Sequence, residues 1–392
     1  MNDEELKRWH NLPPIKGCIL DVDLEYPEEL HDLQNKYPCP PERIKVGEQD
    51  IEHLIPTLSD KKRCILHCEA LKMYVSLGLK ETKIHLGIIF TQRAWLKPYV
   101  DLNTDLRAKA KNDFEKDFFK LMNNSVFGKT MENIRNRVNV RLVSGGEKGE
   151  KKAKNLAAKP SFEGCTIFDD NLVAMHIHKT KLVFNKPVHL GISIPDIGKI
   201  KMYNFHYGFI KSKYSDKAKL LFTHTDSLAY EVMTDDFFAD ISDDVYERFD
   251  TSNFESNHPS GIPSGKNKKV IGMFKDETGG KIIEGFVVLR AMLHSYMMFE
   301  PGRNGKEEKK CKGIKKSIIR KTIGYVYYLD CLFNGGEKLR QMNIFRRRKY
   351  LDYTEEINKV ALSSKDNKRI ILPNNNKLDT LAYAHRDCSS LV

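Results

Sequence analysis

Three shortages set the first limits. No stretch approaches the roughly 20 apolar residues that a membrane helix needs. Cysteine is sparse, with eight in 392 residues. That is too thin for a disulfide scaffold, so free thiols in a reducing, intracellular setting are expected. The opening MNDEELKRWHN is polar and acidic and does not read as a signal peptide. Acidic residues are also outnumbered: 53 Asp and Glu stand against 65 Lys and Arg, a formal net charge of +12. An excess of that size points to a polyanionic partner. What remains is 40% hydrophobic and 30% charged, the composition of a folded chain rather than a disordered or collagenous one. The length suggests two or three domains.

Residues 17 to 25, GCILDVDLE, alternate Leu20, Val22 and Leu24 with Asp21, Asp23 and Glu25. Period two predicts a half-buried strand with one acidic face. The Pro- and charge-rich stretch 26 to 48 reads as a surface excursion, and 62 to 68 as another strand. Residues 112 to 135 give the clearest helix. Asn112 and Asp113 supply its N-cap, Glu115 sits in its first turn, and Phe114, Phe118, Met122 and Val126 form its apolar stripe. Gly128 marks a late end or bend. The Lys- and Gly-rich run 144 to 162 reads as an exposed loop or insertion. In 218 to 233, two apolar runs flank Thr225-Asp226-Ser227, the pattern of a β-hairpin. IIEGFVVLRAML is a further strand. Residues 306 to 321 hold eight Lys and Arg against two Glu. The pattern turns helical from Lys316, and a last basic cluster stands at Arg346, Arg347, Arg348 and Lys349.

Which of these residues carry chemistry is a separate question. Cys64, His67 and Cys68 make a C-I-L-H-C cluster, but zinc sites usually pair two half-sites and no second one follows. The plain reading is a buried strand whose thiols pack as hydrophobes. In the long helix, Lys120, Asn124 and Phe127 fall at i, i+4 and i+7, on one face. A cation, an amide and a ring together suit a nucleoside triphosphate. Spacing alone equally fits a solvated Lys, a helix-bonding Asn and a core Phe.

The run Lys120-Leu-Met-Asn-Asn124-Ser125-Val-Phe127-Gly128 resembles the K-x-x-x-N-S-x-Y-G fingers motif of family B DNA polymerases, with Phe in the place of Tyr. About a hundred residues on, Phe222-Thr-His224-Thr225-Asp226-Ser227 resembles the Y-x-D-T-D-S palm hairpin of that family. The runs DLEYPEELHDL, DFEKDFFKLMNNSVFGKTMENIRNRV, SDKAKLLFTHTDSLAYEV, GGKIIEGFVVLR, KKCKGIKKSI and KVALSSKDNKRIILP resemble the protein-primed branch, in particular Polinton/Maverick-type mobile-element polymerases. The likeness runs from about Asp3 to His385.

The resemblance implies template-directed nucleotidyl transfer assisted by two Mg²⁺ ions. Asp226 would be the catalytic carboxylate and a metal ligand. Lys120, Asn124 and Phe127 would meet the incoming nucleotide. Lys310, Lys312 and Lys315, flanking Gly313, would contact duplex DNA. The implied partners are a DNA primer-template, deoxynucleoside triphosphates and a terminal protein primer, with no membrane, and the mobile-element likeness points to the nucleus.

Four departures bear on activity. His224 replaces the first carboxylate of D-T-D-S, and imidazole is a poor ligand for Mg²⁺. The upstream D-x-x-S-L-Y-P motif has one look-alike, Asp21-Val-Asp23-Leu-Glu-Tyr26-Pro27. Asp21 is therefore the second candidate metal ligand; its other reading is a solvated strand face, with the true motif upstream of Met1. The K-x-Y signature reads Met292 and His294. An exonuclease domain would need several hundred more residues. The expected fold is α+β: a right-hand polymerase truncated at its N-terminus, with an antiparallel palm sheet and helical fingers and thumb. Residues 1–100 and 141–300 would form the palm, 101–140 the fingers and 301–392 the thumb. The expected function is a DNA-directed DNA polymerase of impaired activity; the alternatives are a non-catalytic nucleic-acid-binding remnant on that fold and an unrelated basic protein.

Overall fold

The computed structural model describes residues 9–45, 52–299, 305–348, 351–365, 369–371 and 378–380. The fold is mixed α/β, and the sheets among the described residues are mainly antiparallel, with a two-residue parallel pair at Phe249–Asp250 and Phe274–Lys275. The chain forms two compact units. One joins Met1–Lys120, Ile192–Asn343 and Glu356–Val392; the other joins Leu121–Gly191 and Ile344–Glu355. No described helix is long and apolar enough to cross a membrane.

In the first unit, strand β1 (Lys16–Glu25) lies between β2 (Lys61–His67) and β3 (Lys80–Thr91). The alternation of β1 does what period two requires: Leu20, Val22 and Leu24 are fully buried in one core with Tyr74, Leu71 and Trp9. Asp21 and Asp23 take the opposite face. Two expectations fail here. The 26 to 48 excursion is partly core, because Tyr26 hydrogen-bonds Gln34 at 2.6 Å and Gln34 donates to the Leu77 carbonyl at 2.8 Å, which lets Tyr26, Gln34 and Cys39 bury; residues 46–48 lie outside the described residues. The R-C-I-L-H-C strand is buried on one side only. Leu66 is buried while Ile65 is 57% exposed, and Cys68 already opens helix α1 (Cys68–Ser76).

Helix α2 (Lys97–Lys109) precedes α3 (Asp113–Thr130). At the start of α3, the Asn112 side chain accepts from the Glu115 amide at 2.8 Å and donates to its carboxylate at 3.0 Å. The helix runs through Gly128 and stops at Thr130, short of 135; a separate 3₁₀ turn follows at Ile134–Asn136. The expected stripe is not core either. Phe114 is 79% exposed and stacks on Phe118 along the helix, with centroids 6.4 Å apart. Helical spacing aligns rings on a face, but it does not supply something to cover them.

The second unit holds the sheet β4 (Asn139–Ser144), β5 (Phe162–Asp169) and β6 (Leu172–Ile177), with β6 central. The stretch expected to be a loop contains helix α4 (Glu147–Ala157). Its Glu147 and Glu150 sit in the first turn, where the helix dipole favours anions. Gly149, which read as a loop residue, has a packing role. A Cβ there would sit 1.7 Å from the Ser144 carbonyl oxygen, so only glycine lets the helix close on the strand end.

Past helix α5 (Val188–Tyr203), a π-helical stretch, Asn204–Lys211, leads to the hairpin β7 (Ala218–His224) and β8 (Ser227–Val232). The hairpin is gripped twice. On β8, Tyr230 shares a 3.0 Å hydrogen bond with Nδ1 of buried His206. On β7, the Phe222 ring lies 4.8 Å from His294, in an aromatic row with Phe286 and Tyr296. His294 belongs to the sheet β9 (Ile283–Arg290), β10 (Leu293–Met298) and β11 (Lys306–Cys311). The single strand expected from residue 283 is therefore two strands, joined at Ala291–Met292 with Met292 at φ 62.

Beyond β11 come two short helices, α6 (Lys316–Thr322) and α7 (Tyr325–Asn334), and then a long hairpin, β12 (Glu337–Arg348) with β13 (Leu351–Ser363). Among the described residues of 301–392, helices thus make only the first part. Gly335 and Gly336, both at positive φ, end the helical run and start the strand. Lys349 lies outside the described residues.

Burial lowers the pKa of both gripping histidines to about 4, with Lys211 adding to the effect at His206, and Lys310 and His224 at His294. The unfolded chain takes up these protons near pH 6.5 and the folded chain does not. Stability is therefore expected to fall as pH drops from 6.5 towards 4, by about 3 kcal/mol per histidine. Urea denaturation over that range checks it. His294→Phe, which keeps a ring in the row, should remove roughly half of the pH dependence; an unchanged slope would exclude His294 as a source.

Candidate functional site

The tip of the β7–β8 hairpin is a two-residue turn, Thr225–Asp226, closed by the pairing of His224 with Ser227. Packing is carried by the strands, so the tip is left to solvent. The Asp226 side chain is 90% exposed, and its Oδ1 lies 3.7 Å from Nδ1 of His224. Phe222 and His224, two residues apart on one strand, share a face, the one that Phe222 turns towards His294.

Asp21, the second candidate ligand, is held otherwise. Its Oδ2 lies 3.0 Å from the Arg63 guanidinium, while Oδ1 is buried without a hydrogen-bond partner. Asp23 accepts the Arg63 backbone N–H at 2.8 Å and lies 3.0 Å from Nε2 of His85. Those two contacts, the backbone bond first, lower its pKa. The acidic face of β1 is thus matched from its neighbouring strands, Asp21 by Arg63, Glu25 by Lys80 and Asp23 by the His85 ring.

The helix residues stand as the spacing requires. Lys120 and Asn124 are exposed on α3 and Phe127 is half-buried, so both polar groups of that face are accessible. Lys310, Lys312 and Lys315 are exposed around the turn at Gly313, whose φ is 95. Their neighbour Lys309 is not available in that way: its ammonium donates to the Ile323 carbonyl at 2.7 Å and pairs with Glu307 at 3.3 Å.

Mg²⁺ requires hard oxygen donors held together. Among the described residues no three His, Cys, Asp or Glu side chains converge on a point that could hold an ion. Asp226 has an imidazole beside it, and Asp21 has a guanidinium. These residues do not fit a two-ion site. At the Cys64-His67-Cys68 cluster, His67 accepts the Glu69 amide as the N-cap of α1 and the Cys68 sulfur accepts the Cys18 amide at 3.3 Å.

Sequence reasoning missed the two grips on the hairpin. The aromatic run Tyr203-Asn-Phe205-His206-Tyr207 was a visible signal, but its partner Tyr230 is set by tertiary structure. It also missed Glu132, whose three cationic neighbours come from separate places in the chain.

No curated protein and no solved structure matches the chain. One family description, DNA polymerase type B, organellar and viral, matches residues 6–211. That stretch contains β1 and the Lys120–Gly128 run; the Asp226 hairpin lies beyond it. With more than half of its residues matched by that description, the chain belongs to the organellar and viral type B DNA polymerases.

Proposed function

We propose that the chain is the palm, fingers and thumb portion of a protein-primed type B DNA polymerase whose nucleotidyl transfer is impaired. The observation that carries this reading is the exposed Asp226 on the turn of a rigidly gripped hairpin, in a chain that also holds the Lys120-Asn124 helix face. A tight turn on packed strands is a sound way to present a carboxylate. In this reading residues 1–100 and 141–300 are palm, 101–140 fingers and 301–392 thumb. Lys120, Asn124 and Phe127 meet the incoming deoxynucleoside triphosphate. Lys310, Lys312 and Lys315 touch the duplex backbone. A terminal protein as primer is part of the same proposal and rests on the motif text.

The impairment follows from ligand chemistry. His224 offers nitrogen where the family has a carboxylate, and Arg63 competes for Asp21. Loss of a metal ligand removes several kcal/mol of transition-state stabilisation, and each ~1.4 kcal/mol is tenfold in rate. Among the described residues no three donors converge, and the imidazole beside Asp226 and the guanidinium beside Asp21 favour a second reading, a remnant that binds primer-template without extending it.

Primer extension with Mg²⁺ or Mn²⁺ separates the two. Weak extension that Asp226→Ala abolishes and Lys120→Ala reduces tenfold or more supports the impaired enzyme. Binding with no extension supports the remnant. Titration calorimetry gives a further check. His224→Asp should acquire measurable Mn²⁺ binding where the parent chain has little, together with at least tenfold faster extension. If neither changes, His224 is not what limits the chemistry.

A further inference from the structure

The second unit is where the positive charge lies. Its two segments, Leu121–Gly191 and Ile344–Glu355, carry sixteen Lys and Arg against eight Asp and Glu, so +8 of the chain's +12 sits there. Within it, one carboxylate organises three cations. Glu132 pairs with Lys129 at 3.0 Å, with Lys186 at 3.0 Å, and with Arg137 through two contacts at 2.8 and 2.6 Å. Beside them the Arg135 guanidinium lies over the Phe184 ring, 4.8 Å from its centroid. Phe184 nevertheless remains 64% exposed. These contacts hold the 129–137 and 184–186 segments side by side.

The result is a cationic cluster with an exposed aromatic ring at its edge. Three cations share one anion, so the cluster keeps a surplus of +2, and Arg135 raises it to +3. Cations suit phosphates of any nucleic acid. A ring open to solvent is useful only where a base can leave its stack and lie on it, which a single strand allows and an intact duplex does not. We propose that Phe184, with the cations fixed by Glu132, forms a binding site for single-stranded DNA. The single-strand preference rests on the ring; the choice of DNA over RNA rests on the polymerase reading above. Glu132 acts here as a positioning residue, since it touches the cations and not the strand.

The test uses the full chain and fluorescence anisotropy with a 20-nucleotide oligothymidylate, the matching oligouridylate and a 20-base-pair duplex. Phe184→Ala should weaken the oligothymidylate about tenfold and leave the duplex within twofold. Phe184→Trp should retain binding, and its fluorescence should be quenched by the oligothymidylate and not by the duplex. Glu132→Gln adds a positive charge, so simple attraction would tighten binding; a loss of threefold or more is expected instead, because the cations lose their anchor. Circular dichroism establishes that each variant is folded, and should Glu132→Gln unfold, the two Phe184 variants decide alone. Equal losses for single strand and duplex, or no loss in Phe184→Ala, overturn the site. Tighter binding of the oligouridylate overturns the assignment to DNA. Absence of primer extension in the same preparation bears only on the polymerase reading.

Discussion

The constraint on which the candidate site depends is the burial of two uncharged imidazoles against one hairpin. A buried polar ring must either find a partner or stay neutral and pack as an aromatic. His206 does the first, with Tyr230, and His294 the second, against Phe222. Both fix strands, not the turn between them. The tip is therefore free of packing duty, which is why Asp226 can stand in solvent while residues a few positions away are packed. The π-helical stretch that carries His206 is part of this arrangement, because it is what brings Phe205, His206 and Phe209 inward together.

Charge divides the molecule differently from packing. The basic composition reads as a property of the whole chain, yet most of the excess belongs to the smaller unit. Residues 306–321 are also rich in lysine, but β11 uses part of that charge internally: Lys306 pairs with Glu308 and Lys309 with Glu307 and a carbonyl. Two arginines of the β12–β13 hairpin are likewise matched, Arg346 by Glu355 and Arg347 by Asp352. A lysine run alone is a poor guide to a binding surface; what matters is how much of it remains unmatched after folding.

Where local rules governed, the fold was legible. Alternation gave β1, the flanking apolar runs gave the β7–β8 hairpin, and Asn112 with Glu115 gave the start of α3. Legibility failed where tertiary contacts set the outcome. Gly149 looks like a loop residue until the strand end beside it is known. Tyr26, Gln34 and Cys39 look like surface until Gln34, which joins the other two, meets the Leu77 carbonyl. Of the site, the residues of the two motifs could be named from their text, while the pairing of Asp21 with Arg63 and the convergence of three cations on Glu132 could not. They join residues that only folding brings together.

His224 has a consequence beyond this molecule. Its side chain is only 27% exposed, but it contributes no hydrogen bond to the strand pairing, and Phe222 does the docking. The codons of histidine and aspartate differ by a single base. On the polymerase reading proposed above, one nucleotide change at this seat would set a second carboxylate beside Asp226, with the docking of the strand left to Phe222.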